Sequence, residues 1–163
     1  MNVNRMNWMG SLGVAVSILL FGSSLAFGQE EAKSASQEAQ FKAFEALLTN
    51  AKLVGQFTIL GKGDGMGRKE AYTIESVKKV PGNGDFWLFK ARMQYGGTDV
   101  TLPMPLEVKW AGDTPVITLT ETTIPGLGTF SARVVIHGKQ YAGIWKHGEY
   151  GGQMFGVVKK AEK

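Results

Sequence analysis

Residues that could do chemistry are few in this sequence, and they are widely spaced. Histidine, the commonest general base and metal ligand, occurs only as His137 and His147. A strand of seven or more residues is predicted between them, so they lie about 25 Å apart at ~3.3 Å per residue. That distance excludes a shared metal ion or a catalytic dyad. The sequence also has no cysteine and no Gly-x-Ser-x-Gly elbow, so we predict no enzyme activity, no metal and no cofactor.

The carboxylates are also dispersed along the chain. Four aspartates lie in separate predicted loops without the spacing of a calcium-binding loop: Asp64, Asp85, Asp99 and Asp113. Three glutamates lie on predicted strands at positions expected to face solvent: Glu75, Glu107 and Glu121. Convergence of Asp64, Asp99 and a histidine in one cleft is the one arrangement that would reopen the enzyme interpretation.

A glycine-rich segment, Gly61–Lys69, is the motif most suggestive of phosphate binding. Phosphate loops require a helix N-terminus after the glycines, whereas the following residues, 70–75, have the character of a strand. We therefore interpret the segment as a hairpin loop. A backbone nest for an anion is the alternative, and its candidate residues are Gly63, Asp64, Gly65 and Arg68.

Large aromatic side chains recur along the predicted strands. They suit a packed core and suit equally the wall of an apolar ligand cavity. The candidates for lining such a cavity are Trp87, Phe89, Trp110, Phe130 and Trp145.

From Leu53 onward the hydrophobic pattern alternates with period two, which is typical of strands. Eight strands are predicted, at 53–60, 68–80, 85–95, 100–110, 115–121, 129–137, 140–146 and 153–159. Short connections rich in glycine join them, so neighbours in sequence should pair in space. The pattern predicts an all-β fold, an antiparallel up-and-down barrel or strongly curled sheet of eight strands. Pro103 and Pro105 cannot donate to a ladder, which predicts an edge, bend or bulge there.

One amphipathic helix is predicted before the strands, from Ser34 to about Lys52. Its apolar stripe consists of Phe41, Phe44, Leu47, Leu48 and Ala51. Such a helix needs an apolar partner, and we expect it to cap an open end of the β domain or cover a sheet edge. A helix lying on a membrane surface is the alternative, which its polar face of mixed charge disfavours.

The N-terminus has the pattern of a secretory signal peptide. Arg5 precedes an apolar run, Leu12–Phe21, and small residues lead to a predicted cleavage site after Gly28. The apolar run is shorter than the ~20 residues that span a bilayer, which disfavours an uncleaved anchor. We predict export to the periplasm or the extracellular space. The domains are then a signal peptide at 1–28, a linker and helix at 29–52, and the β domain at 53–163.

The net charge of the whole chain is +4. This charge is mild and evenly spread, so no nucleic-acid partner is expected. No stable membrane span is expected after signal cleavage.

The C-terminal hairpin, Tyr141–Trp145 followed by Gly151–Gly156, resembles the end of small exported proteins of planctomycete-type bacteria that have no assigned activity. Its Gly143-x-Trp145 step is similar to that of calycin-like barrels, the lipocalin and avidin group. In lipocalins this step lies on the first strand, whereas here it lies on the seventh predicted strand. The resemblance implies a barrel and transfers no binding residue.

Two functions fit these observations. The first is an exported, non-enzymatic binding protein for a small apolar or amphipathic ligand or an envelope component. The alternative is a structural or protein-interaction module of the envelope with a packed interior. An internal cavity of at least ~300 Å³ favours the first, and a packed interior with an exposed apolar patch favours the second.

Overall fold

The computed structural model describes residues 22–61, 67–95 and 98–161. One helix, α1 (Gly22–Leu48), precedes eight strands. The strands are β1 (Ala51–Phe57), β2 (Arg68–Lys79), β3 (Phe86–Tyr95), β4 (Thr98–Ala111), β5 (Thr114–Ile124), β6 (Gly128–His137), β7 (Gln140–His147) and β8 (Tyr150–Lys160). One compact unit ends at Gln37, and Glu38–Lys163 form the other. The second unit therefore holds all eight strands and the C-terminal part of α1.

The eight strands form a closed barrel in which every strand pairs antiparallel with its neighbours in sequence. Closure comes from the pairing of β1 with β8, which places Leu53 opposite Val158. The predicted all-β, up-and-down barrel is confirmed, and the strongly curled open sheet is excluded. The observed strands begin and end within three residues of the predicted ones.

Tight glycine turns set the strand boundaries. The β4–β5 and β6–β7 connections contain two residues each, and Gly112 and Gly138 begin them with φ of 66° and 57°. A positive φ at this position is strained for residues with a side chain and costs glycine little. These turns force adjacent strands to pair, which is why the spacing of the glycines predicted the strand order.

The prolines of β4 lie where the barrel wall is incompletely paired. β4 pairs with β3 from Thr98 to Glu107 and with β5 from Glu107 to Ala111. Pro103 and Pro105 precede the β5 ladder, so neither has to donate a hydrogen bond to it. The predicted local edge at these prolines is confirmed.

The C-terminal part of α1 covers one end of the barrel. Phe44 is 3% exposed, and its ring lies 5.0 Å from the ring of Trp87 and 5.8 Å from that of Trp110, centroid to centroid. Both contacts have the edge-to-face geometry that aromatic pairs prefer. Phe41 and Leu48 pack into the same core. The predicted capping role of the helix is confirmed.

The limits of the helix differ from the prediction. α1 ends at Leu48 because Asn50 adopts a left-handed φ of 54°, and Ala51 already belongs to β1. At the other end α1 extends to Gly22, the first described residue, so the predicted linker at 29–33 is helical. That segment contains neither glycine nor proline, and nothing in it breaks a helix.

The predicted signal peptide, 1–28, lies largely outside the described residues. Its described part, from Gly22, belongs to α1. In the described ranges, no helix combines the length and the hydropathy needed to cross a bilayer.

Truncation of Phe44 should reveal how much the helix stabilises the barrel. Phe44→Ala removes a buried ring from the aromatic cluster, and we expect the free energy of unfolding to fall by about 3–5 kcal/mol. Urea denaturation followed by tryptophan fluorescence measures this change. The matched control is Lys42→Ala on the exposed face of the same helix, for which we expect a change within about 0.5 kcal/mol. Equal effects of the two substitutions would contradict a capping role for the helix.

Candidate functional site

A single row of residues crosses four adjacent strands inside the barrel. In register across β7, β8, β1 and β2, Tyr141 lies opposite Gly156, Gly156 opposite Gly55, and Gly55 opposite Glu70. Residues paired in this way project to the same face of a sheet. The row thus places a tyrosine and a glutamate on the inner wall with two glycines between them.

The two glycines make room for the tyrosine to reach the glutamate. A Cβ added at Gly156 would lie 2.7 Å from Cε1 of Tyr141, and one added at Gly55 would collide with the Tyr141 hydroxyl. With no side chains in its path, Tyr141 donates a hydrogen bond of 2.8 Å from its hydroxyl to Oε1 of Glu70. An added Cβ would also collide with backbone oxygens of the paired strand, that of Phe155 at Gly55 and that of Val54 at Gly156. The glycines therefore permit the close pairing of β1 with β8 as well as the passage of Tyr141.

Glu70 lies at the centre of a small polar cluster that consists of Glu70, Tyr141 and Tyr72. Tyr72, two residues along β2, donates a hydrogen bond of 2.9 Å to the other carboxylate oxygen, Oε2. Burial raises the pKa of Glu70 above its ordinary value, and the hydrogen bonds from Tyr141 and Tyr72 partly oppose that rise. Burial, followed by the nearby carboxylate of Glu70, raises the pKa of Tyr141. The Tyr141 hydroxyl is therefore a neutral donor at physiological pH.

A cavity of about 220 Å³, partly open to solvent, lies between the strands beside this cluster. Its wall is largely apolar, and Glu70 and Tyr72 contribute the polar part. Small side chains at Ala91 and Ala132 leave part of the interior unfilled. The volume is below the roughly 300–1,000 Å³ of drug-sized sites and above the roughly 150 Å³ that accommodates benzene.

A second depression, of about 340 Å³, lies outside the barrel between α1 and two turns. Leu47, Trp110 and His137 are among the residues that line it. It is larger than the internal cavity, but its ionisable groups, Asp113 and His137, are exposed. The internal cavity, in contrast, holds a half-buried carboxylate, and we take it as the candidate site.

Three of the five aromatic candidates line the internal cavity: Phe89, Phe130 and Trp145. The other two, Trp87 and Trp110, lie at the end covered by α1, where their rings contact Phe41 and Phe44. The predicted aromatic residues therefore have two roles. Those at the end of the barrel covered by α1 pack against the helix, and the others line the cavity.

The residues proposed for the anion loop lie mostly outside the described part of the chain. Gly63, Asp64 and Gly65 lie outside the described residues, and Arg68 is the exposed first residue of β2. The proposed approach of Asp64 to Asp99 falls partly outside the described residues as well. Asp99 accepts a hydrogen bond of 2.7 Å from Arg92.

The histidines lie at opposite ends of the β6–β7 hairpin, as the sequence predicts. His137 pairs with Gln140 at the turn, and His147 pairs with Phe130 at the other end, where their rings stack at 4.2 Å. Among the described residues, no group of three or more histidine or carboxylate side chains could hold a metal ion.

Sequence reasoning missed Glu70, Tyr72 and Tyr141. The three glutamates that it weighed lie elsewhere, and Glu75, for example, pairs on the outer surface with Lys90 at 2.7 Å. The sequence did contain a signal for Glu70. Glu70, Tyr72 and Ile74 are every second residue of β2 and so share one face of the strand, and Ile74 is buried. A carboxylate in phase with a buried isoleucine indicates an inward position.

The outer surface of β6, β7, β8 and β1 is unusually apolar. Its exposed large side chains include Ile144 at 60% exposure and Phe155 at 49%, with Val135 and Val157 beside them. The charged residues that face outward on these four strands are cationic: Lys52, Arg133, Lys146 and Lys159. This combination forms a second candidate surface, which we call the apolar outer face.

Protonation of Glu70 should make the stability of the barrel depend on pH. Because the folded-state pKa of Glu70 lies above the ordinary value near 4.5, the folded protein holds this proton more tightly than the unfolded chain. The stability that this bound proton contributes is fully present below pH 4.5, the ordinary pKa of glutamate. It is lost as pH rises through the folded-state pKa of Glu70. Glu70→Gln has no such proton to lose.

We therefore expect the unfolding free energy of the wild type, relative to that of Glu70→Gln, to decrease as pH rises from below 4.5 towards neutrality. Urea denaturation at a series of pH values measures the difference, and circular dichroism checks that the variant keeps its strands. A difference that stays constant across this range would show that Glu70 is as well solvated in the folded barrel as in the unfolded chain.

Comparison with known proteins adds no family to this description. No family model, no curated protein and no solved structure matches the chain. The resemblance of the C-terminal hairpin to planctomycete-type exported proteins and to calycin-like barrels therefore stays a prediction.

Proposed function

We propose that this protein is an exported, non-enzymatic binding protein that holds a small apolar or amphipathic molecule inside its barrel. The observation that carries the proposal is a half-buried carboxylate, Glu70, on the wall of a cavity of about 220 Å³ among the strands. This volume is below the ~300 Å³ expected of a binding barrel, so the cavity alone does not decide between the two functions and the ligand has to be small. Burial of apolar ligand surface in such a cavity supplies the binding free energy, at roughly 25 cal/mol per Å². Export is supported by the N-terminal sequence pattern alone.

The cavity limits the size of the ligand. Its volume is below that of sites for drug-sized molecules and above that of a cavity for benzene. A molecule with one aromatic ring, or with a short alkyl chain, fits these limits. Long lipids and large cofactors would require the interior to expand.

The polar cluster supports binding rather than catalysis. Glu70 accepts its hydrogen bonds from two tyrosine hydroxyls, which are weak acids, and both histidines lie at the barrel ends. A serine or threonine nucleophile needs a base within hydrogen-bond reach. Among the described residues, no hydrogen bond joins a histidine or lysine to such a hydroxyl at the cavity.

Toluene is a suitable first probe because it is apolar and slightly larger than benzene. We expect it to shift the indole proton–nitrogen NMR signal of Trp145, which lines the cavity, and to leave that of the buried Trp87 nearly unchanged. Ala132→Leu should fill part of the cavity and weaken toluene binding by at least about tenfold, or ~1.4 kcal/mol.

The matched control is Ala142→Leu, which adds the same atoms to an exposed position on the adjacent strand. This variant should bind toluene like the wild type. Absence of any toluene-dependent shift at Trp145 in the wild type would overturn the proposal and favour a module with a packed interior.

The apolar outer face favours a second candidate function, which is peripheral contact with an anionic lipid surface of the envelope. Exposed Ile144 and Phe155 supply apolar area, and cations such as Lys146 and Lys159 surround them without a carboxylate among the outward residues of these strands. Each cation near an anionic membrane is worth about 1 kcal/mol. A second copy of the chain fits less well, because symmetric pairing of this face would bring its cations together.

Co-sedimentation with vesicles tests this second function. We expect the protein to sediment with phosphatidylglycerol vesicles more than with phosphatidylcholine vesicles, and the double substitution Ile144→Ser with Phe155→Ser to reduce the bound fraction severalfold. Leu88→Ser, on the exposed surface of β3, is the control and should bind like the wild type. Equal binding to both vesicle types, or no binding, would reject the lipid-surface function.

A further inference from the structure

We infer that the internal cavity selects a ligand with a cationic ammonium group, which binds the carboxylate of Glu70 while its apolar body fills the cavity. This inference rests on the proposed binding function and adds the chemical class of the ligand. A protonated arylalkylamine with one ring and a short chain has both required parts.

The geometry of Glu70 leaves it able to accept further hydrogen bonds. A carboxylate offers about four acceptor positions on its two oxygens. Tyr141 donates to Oε1 and Tyr72 donates to Oε2, so each oxygen receives one hydrogen bond from a tyrosine. The two donors approach from different strands and hold the carboxylate in one orientation. The second acceptor position on each oxygen stays available to a ligand.

Electrostatics indicates the charge of that ligand. In the described residues, no cationic side chain forms an ion pair with Glu70, whereas Glu75, Asp85 and Asp99 each pair with a lysine or arginine on the outer surface. Lys69 is the nearest cation along the strand and also borders the cavity, but it is exposed and alternates to the opposite face of β2. A half-buried carboxylate that no described cation neutralises is unfavourable, and a bound cation offsets part of that cost.

Other ligand charges fit less well. An anionic ligand would place a second negative charge beside Glu70 in a largely apolar cavity. A neutral hydrocarbon would fill the volume and further dehydrate the carboxylate without supplying a donor. An ammonium group supplies both a positive charge and up to three N–H donors. Aromatic rings in the same wall, such as those of Tyr72 and Phe89, add favourable faces for a cation.

Three probes of nearly equal size separate these cases: benzylamine, toluene and benzoate. We expect NMR titration of the full mature chain to show benzylamine binding at least about tenfold more tightly than toluene, and benzoate binding more weakly than toluene. Glu70→Gln should remove the preference for benzylamine and keep toluene binding. Toluene binding by the variant also shows that its cavity is intact.

A measurement on the wild type does not depend on how the variant folds. As pH falls through the pKa of Glu70, protonation removes its negative charge, so benzylamine should lose its preference, while toluene, which no longer dehydrates a charged group, should bind as tightly as before or more tightly. Tyr72, Tyr141 and Lys69 are the other ionisable groups that border the carboxylate or the cavity. Burial raises the pKa of Tyr141 further from this acidic range.

The outcomes distinguish the two levels of the proposal. If toluene and benzylamine both fail to bind, the proposed binding function is wrong. If toluene binds and benzylamine binds no more tightly, or if the preference survives both Glu70→Gln and acidification, the cavity binds small molecules but does not select cations through Glu70. That second result overturns the present inference alone.

Discussion

The interior of this barrel depends on one side chain, Tyr141, which spans two neighbouring strands to reach a carboxylate on a third. Glycine at 55 and 156 removes the side chains that would block it, and the closed register brings Glu70 to the far end of the same row. Closure of the barrel is required for this contact, since β1 must join β8 before β7 and β2 become neighbours across the row. The hydrogen bond from Tyr141 to Glu70, which sets the polar part of the cavity, therefore forms only in the closed barrel.

The two ends of the barrel differ in how their interiors are filled. At one end the helix supplies Phe44, which packs against Trp87 and Trp110, so the apolar ends of the strands are covered without help from a partner. Further along the axis the inward residues include glycine and alanine, and the interior is left incompletely filled. A closed interior of uniform large residues would be more stable, because unfilled volume costs dispersion energy. The cavity is thus located on the side of the core that the helix does not pack.

Much of the fold could be predicted from local sequence features, and the site could not. Glycine turns such as that at Gly112 and alternating apolar residues determine each strand, and short connections leave few alternatives to an up-and-down order. The helix end was misplaced because Ala51 continues the apolar stripe, and only the left-handed backbone of Asn50 ends the helix. The aromatic set was divided because a strand pattern shows which residues face inward but not which level of the barrel they occupy. Glu70 was missed for a related reason: its partner Tyr141 is 71 residues away and adjoins it only after closure.

The position of Glu70 is the strongest argument that the cavity binds something polar at one point. Tyr141 and Tyr72 could satisfy their hydroxyls with a neutral acceptor, so the fold does not require a negative charge there. A carboxylate adds a desolvation cost at neutral pH that an amide of similar shape would avoid. The charged groups of the outer surface are exposed to water, whereas this one borders a largely apolar cavity. The two tyrosine hydrogen bonds offset part of its desolvation cost, and a cation in the space beside it would offset more. A binding site for an ammonium group accounts for the carboxylate, the two orienting tyrosines and the two glycines together, whereas core packing alone accounts only for the glycines and the aromatic rings.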